Sequence, residues 1–174
     1  MVAALAALPA SPLTLRAAGQ AVAEPSLKAA FLLNFTKFTE WPDDVLAPSA
    51  PLVLCVADSD VAAALDGLVA GRSVNQHALA LRRVKLEDAM RTCALLYTSK
   101  LDDRRTAQLV SALAGASVLT VGEAQDFAVR GGMIGLFVDD GRMRFAVNRD
   151  AVQKTRIRLS AQLLTLAKIV KDAP

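Results

Sequence analysis

The chain reads as an α/β protein: a largely parallel mixed sheet flanked by helices, with a C-terminal β-hairpin and a long final helix. Three observations carry this reading. Short apolar runs of strand length alternate with stretches of helical spacing from residue 26 onward. The 174 residues are enough for one domain that buries roughly 70% of its unfolded surface without metal or multiple disulfides. An Asp140-Gly141 pair between two alternating runs supplies the positive φ that a tight hairpin turn requires.

The elements follow in order. Leu27, Phe31, Phe35 and Phe38 recur at three or four residues, which predicts an amphipathic helix with an aromatic core stripe. Ser26 is its candidate N-cap, and Pro42 ends it by disfavouring helical geometry at Trp41. Residues 51–57 read as a buried strand, 60–69 as a helix stopped by Gly71, and 72–84 as an edge hairpin or strand pair. Residues 86–90 give a short helical turn and 93–98 a strand. Asp102 to Leu113 form a helix with Leu109, Val110 and Leu113 inward, 117–121 a strand and 123–129 a helix. Residues 133–138 and 142–148 make the hairpin, with Arg142 and Arg144 alternating with Met143 and Phe145. A long helix is expected from Arg149 to Lys171, with Val152, Leu159, Leu163, Leu166 and Val170 inward. No internal repeat or long linker divides the chain, so 26–174 reads as a single domain.

The first 25 residues differ in texture. An Ala/Leu run is broken by Pro9 and Pro12, and Ala21-Val22-Ala23 then places small residues at the −3 and −1 positions of a signal peptidase site. This reads as a signal peptide or a disordered leader. No basic residue precedes the apolar run, a departure from the usual secretory pattern. Cys55 and Cys93 each lie in an apolar run of strand character. They are either one disulfide, formed in an oxidising compartment and worth about 3–4 kcal/mol by loop closure, or two buried thiols.

Composition excludes several classes. Apolar residues make up 53% and charged residues 21%, with no run long enough to span a membrane. Collagen, coiled coil and disordered chain are ruled out on the same grounds. The net charge of +3 divides unevenly: residues 1–140 carry −3 and residues 141–174 carry +6. A positive C-terminal segment points to an acidic partner or anionic ligand, or simply to a solvated face. Aromatic residues are only 5% and no nucleic-acid-binding motif occurs, so nucleic acid is not an expected partner.

Catalytic equipment is sparse. His77, the single histidine, stands in a polar stretch without a neighbouring metal-ligand set, so no metal site is expected. No nucleophile elbow, Walker A loop or Cys-x-x-Cys is present. The turn Ala57, Asp58, Ser59, Asp60 lacks the glycines that admit a dinucleotide pyrophosphate. No cofactor is therefore expected.

The helix from Ser26 to Pro42 ending Thr39-Glu40-Trp41-Pro42, the strand Leu52 to Val56, and the block from Gly131-Gly132-Met133-Ile134 through Arg144 to Asn148 and Leu163-Leu164 together resemble the YfiR family. That resemblance implies a small α/β protein of the periplasm with no catalytic activity. It implies a negative regulator that binds the periplasmic domain of an inner-membrane diguanylate cyclase and lowers cyclic-di-GMP output. It further implies sequestration by an outer-membrane peptidoglycan-binding lipoprotein, a homodimer, and pairing of Cys55 with Cys93. A second cysteine pair found in some relatives is absent, which removes redox switching through a second bridge.

The residues themselves add an expected location. The hairpin and the start of the final helix offer basic side chains around Phe145 and Leu159, a polar rim about an apolar centre. Asn148, Arg149, Arg156, Arg158 and Ser160 are the candidate partner- or ligand-binding residues, with N-capping as the competing role of Asn148. The alternative function is a periplasmic small-molecule-sensing module acting on a signalling partner.

Overall fold

The computed structural model describes residues 16–172 apart from 87, 89, 100 and 124, with side chains from Glu24 onward, that of residue 125 excepted. Most of the expected signal or leader lies outside the described residues. The elements are α1 (Arg16–Lys37), β1 (Thr39–Glu40), β2 (Leu52–Val56), α2 (Ser59–Val69), β3 (Ser73–Val74), β4 (His77–Arg83), β5 (Leu95–Thr98), α3 (Asp103–Ala112), β6 (Leu119–Glu123) and α4 (Gln125–Val129). The last third contains β7 (Ile134–Asp139), β8 (Arg142–Asn148), α5 (Arg149–Gln153), β9 (Arg158–Leu159), α6 (Ala161–Leu166) and β10 (Lys168–Val170).

Eight strands form one sheet in the order β10-β8-β7-β6-β5-β2-β4-β3, parallel from β4 through β7. The α/β class and the mostly parallel sheet agree with the sequence reading. β1 and β9 form a separate antiparallel pair. The strands of the sheet interior alternate as a two-residue period demands. Leu54, Val56 and Tyr97 join the major core with Leu32 and Phe35 of α1 and Leu65 of α2. Cys55 and Leu96 point to the other face, where Leu109 of α3 and Phe127 of α4 complete a smaller core. Each large side chain so buried contributes about 1.5–3 kcal/mol.

Local chemistry accounts for most boundaries. The Asp58 carboxylate accepts from the amides of Asp60 and Val61 and caps α2, and Asp102 caps α3 through the Arg105 amide. Asp140 and Gly141 both take positive φ between β7 and β8, the geometry of a two-residue hairpin. The aromatic stripe of α1 packs as core: the Phe35 and Phe145 rings meet at 5.1 Å and 64°. Phe127 fills a slot made by two glycines, since a Cβ on Gly132 would stand 2.2 Å from its ring and one on Gly122 2.4 Å.

Three expectations are corrected. Ser26 does not cap the first helix, which runs through Pro25; the fixed φ of proline is itself helical, although its ring removes a donor and crowds the carbonyl of the preceding turn. The helical turn expected at 86–90 is a 3-10 turn at Met90–Thr92. The long C-terminal helix is broken. α5 stops after Gln153, Ser160 caps a second short helix, and Ala167 turns extended. Lys168, Ile169 and Val170 then pair in parallel with Ala146, Val147 and Asn148. The exposed ladder of β8 and the β-branched pair Ile169-Val170 favour strand there, overriding the helical spacing. Leu166, expected inward, is accordingly 72% exposed, whereas Val152 and Leu163 are buried.

Candidate functional site

The residues singled out in the C-terminal third separate into anchors and surface charges. Asn148 is fully buried. Its Oδ1 accepts from the Ala151 amide at 3.0 Å and caps α5, while Nδ2 donates to the Ala128 carbonyl at 2.7 Å and to Asp172 Oδ1 at 2.6 Å. Asp172 also pairs with Lys154. That ammonium, and after it the Asn148 amide, holds the Asp172 carboxyl below the usual carboxylate range. Ser160 is likewise internal to the fold: its hydroxyl accepts from the Leu163 amide at 3.2 Å, and its own amide donates to the Phe38 carbonyl at 2.9 Å.

Arg149, Arg156 and Arg158 are exposed. Arg156 pairs with Asp44 at 2.7 Å, and Arg158 stands opposite Glu40 in the β1–β9 pair. Arg144 pairs with Asp139 at 3.1 Å. Half of the expected apolar centre is also withdrawn: Phe145 is buried against α1, and Leu159 is half-buried.

The fold also presents the β10 edge. β10 is the terminal strand of the sheet, so its outer side carries no partner strand among the described residues. Leu166 and Ile169 are exposed there, and Val138 is 62% exposed on β7 near the hairpin tip. A shallow depression of about 340 Å³ lies in the same region, lined by Phe137, Arg144, Leu166 and Lys168 among others. An apolar strand edge with cations beside it is equipped to accept an extended segment of another chain. Reading 149–171 as one helix concealed it; the available signal was the Lys168-Ile169-Val170-Lys171 run, short, β-branched and bounded by lysines.

The opposite region of the sheet carries the remaining chemistry. Cys55 of β2 and Cys93 are joined in a disulfide, and the Arg82 guanidinium lies 3.1 Å from both sulfurs. Beside this smaller core a cleft of about 530 Å³ opens at the C-terminal ends of β2, β4 and β5, with α3 as one wall. On the other face Tyr97, fully buried, donates to Glu123, which Lys28 binds at 2.7 Å while pairing with Glu24 at 2.8 Å. Burial, and next the Glu123 bond, raises the Tyr97 hydroxyl far above its ordinary value. For Lys28 burial works downward, but the bonds to Glu123 and Glu24 outweigh it and the net shift is upward. His77 opens β4 with Nδ1 at 2.8 Å from the Ala50 carbonyl. Among the described residues no cluster of three His, Cys, Asp or Glu is placed to hold a metal, and no helix is long and apolar enough to cross a membrane.

Parallel strands in the order β4-β2-β5-β6-β7, with helices on both faces, define a doubly wound α/β domain. To it are added an antiparallel β8 and an edge strand β10. The model of the YfiR/HmsC-like family matches residues 25–168, and the chain belongs to that family. The family is one of periplasmic regulators of diguanylate cyclase signalling. A solved structure described as a conserved domain protein from Vibrio cholerae O1 biovar El Tor shares the fold, with a TM-score of 0.54 and 14% identity. The match covers 82% of this chain and 60% of that one.

Proposed function

We propose that this chain is a non-catalytic negative regulator in the periplasm, which binds the periplasmic domain of an inner-membrane diguanylate cyclase and lowers cyclic-di-GMP output. The observation that carries the proposal is membership of the YfiR/HmsC-like family over residues 25–168. The uncovered β10 edge, with Leu166 and Ile169 exposed beside Lys168, supplies a surface suited to protein docking. In this reading residues 1–23 are a signal peptide cleaved after Ala23, so that Pro25 falls in the first turn of the mature helix, where proline is well tolerated. An outer-membrane peptidoglycan-binding lipoprotein sequesters the regulator, and the regulator is a homodimer.

The test is a pull-down of the chain starting at Glu24 against the periplasmic domains of the membrane-bound diguanylate cyclases of the same genome, with non-reducing mass spectrometry of the bait. Saturable binding to one of them, with Cys55 linked to Cys93, supports the proposal. Binding to none of them, with both thiols free, overturns the partner and the compartment together.

A further inference from the structure

In a doubly wound sheet the crevice for ligands lies at the carboxyl ends of the strands, where the sheet changes its direction of growth. Here the chain leaves β2 for β4 on one side and returns to β5 on the other, so that point lies between β2 and β5. The cleft of about 530 Å³ stands at these strand ends, and its volume is that of a small-molecule site.

Three features indicate what it accepts. Thr98, at the end of β5, is 1% exposed and lines the cleft, and its hydroxyl is the buried side-chain polar atom left without a hydrogen-bond partner among the described residues. Native proteins rarely leave such a group unpaired, and an occupant that supplies an acceptor would satisfy it. Two cations line the cleft from different elements, Lys85 after β4 and Arg105 on α3, and no acidic side chain lines it among the described residues. Lys85 forms no ion pair among the described residues, while Arg105 makes a long, exposed pair with Asp102 at 3.8 Å. The rest of the wall is largely apolar, with Leu86, Met90 and Leu109 contributing. The usual anion position of this fold, the amides that open the first helix, is filled by the Asp58 carboxylate at 3.0 and 2.9 Å. An anion in this cleft must therefore be held by side chains.

We propose that the cleft binds a small amphipathic anion, its carboxylate or phosphate head held by Lys85 and Arg105 and by the Thr98 hydroxyl, its apolar body lying against Leu86 and Met90. The proposal stands apart from the cyclase reading, because binding is read on the chain alone. Met90 and Leu109 of its wall belong to the core built around Cys55 and Cys93, so an occupant bears on the packing beside the disulfide.

The test is calorimetric titration of the oxidised chain with phenyl phosphate, benzoate, inorganic phosphate and neutral benzamide, alongside thermal denaturation with each. Saturable binding of phenyl phosphate or benzoate, but not of benzamide, is expected, and the preferred probe identifies the head group. Lys85→Gln and Arg105→Gln should each weaken it about tenfold or more. Thr98→Val, which removes only the unpaired hydroxyl, should leave or raise the Tm of the free chain yet reduce the upward shift that the ligand produces. Three results would overturn the proposal: no saturable binding by any probe, binding unchanged in both cation variants, or a lowered Tm of free Thr98→Val. Inorganic phosphate binding as tightly as phenyl phosphate would overturn the apolar half of the site.

Discussion

The buried carboxamide of Asn148 donates to the Asp172 carboxylate at 2.6 Å across 24 residues of sequence, tying the end of β8 to the segment that follows β10. The same side chain caps α5 and satisfies the Ala128 carbonyl. Asn148→Ala should cost about 2–3 kcal/mol by losing a cap and leaving buried polar groups unpaired. Urea denaturation checks this, and an undiminished midpoint would show that water replaces the amide.

Asp172 gives that corner a pH dependence. Its folded carboxyl is held below its unfolded value by Lys154 and Asn148, so its stabilisation is fully present above the unfolded value and is lost as pH falls through the folded one. Asp172→Asn should flatten the acid limb of the stability curve. An identical acid limb in wild type and variant would contradict the assignment.

The alkaline limb has a different source. Lys28 and Tyr97 are both raised above their ordinary values of 10.5 and 10.0. Raised groups stabilise below the unfolded value and lose that contribution as pH rises through the folded one. Tyr97→Phe should therefore reduce the stability lost at high pH, while lowering stability at neutral pH by about 1–2 kcal/mol. Equilibrium unfolding as a function of pH measures both.

Cys55 and Cys93 close a loop across a sequence separation of 38. Replacing both by alanine should destabilise the chain by about 3–4 kcal/mol in the chain-entropy model. Thermal unfolding of the double variant beside the reduced wild type separates loss of the cross-link from loss of packing, because only the variant also loses the sulfurs.

Phe127 depends on Gly122 and Gly132 having no side chain. Gly132→Ala should cost about 1–3 kcal/mol through overpacking. Adding Phe127→Leu should recover part of that loss, a coupling that a double-mutant cycle detects. Strict additivity would mean that the ring does not occupy the slot.

The docking surface is testable at Leu166, which is 72% exposed. Leu166→Glu should leave stability within about 0.5 kcal/mol and weaken cyclase-domain binding about tenfold or more. Arg156→Glu, which breaks only an exposed pair with Asp44, should have the smaller effect. The reverse order would return the binding surface to the basic residues around Arg156 and Arg158.

Much of the fold was legible because its causes are local. The spacing of Phe31, Phe35 and Phe38, the turn at Asp140-Gly141 and the capping capacity of Asn148 can each be read within a few residues. The candidate site was less legible. Arg156 and Arg158 look like free positive charge in sequence, yet Asp44 lies beside the first, 112 residues away in the chain, and Glu40 opposite the second. Leu166 and Val170 have helical spacing with Leu163, but the backbone at 168–170 takes the open ladder of β8 instead.

By itself the sequence determined the alternation of strands and helices, the hairpin, the strand that carries Cys55 and the family resemblance. Tertiary structure alone decided the strand order that opens a cleft between β2 and β5, the exposed β10 edge and the pairing of Arg156 with Asp44. Periodicity, capping and turn chemistry act over a few residues and leave their mark in composition. Which strand lies beside which, and which carboxylate meets which guanidinium, depends on contacts between distant segments that form only when the two cores close.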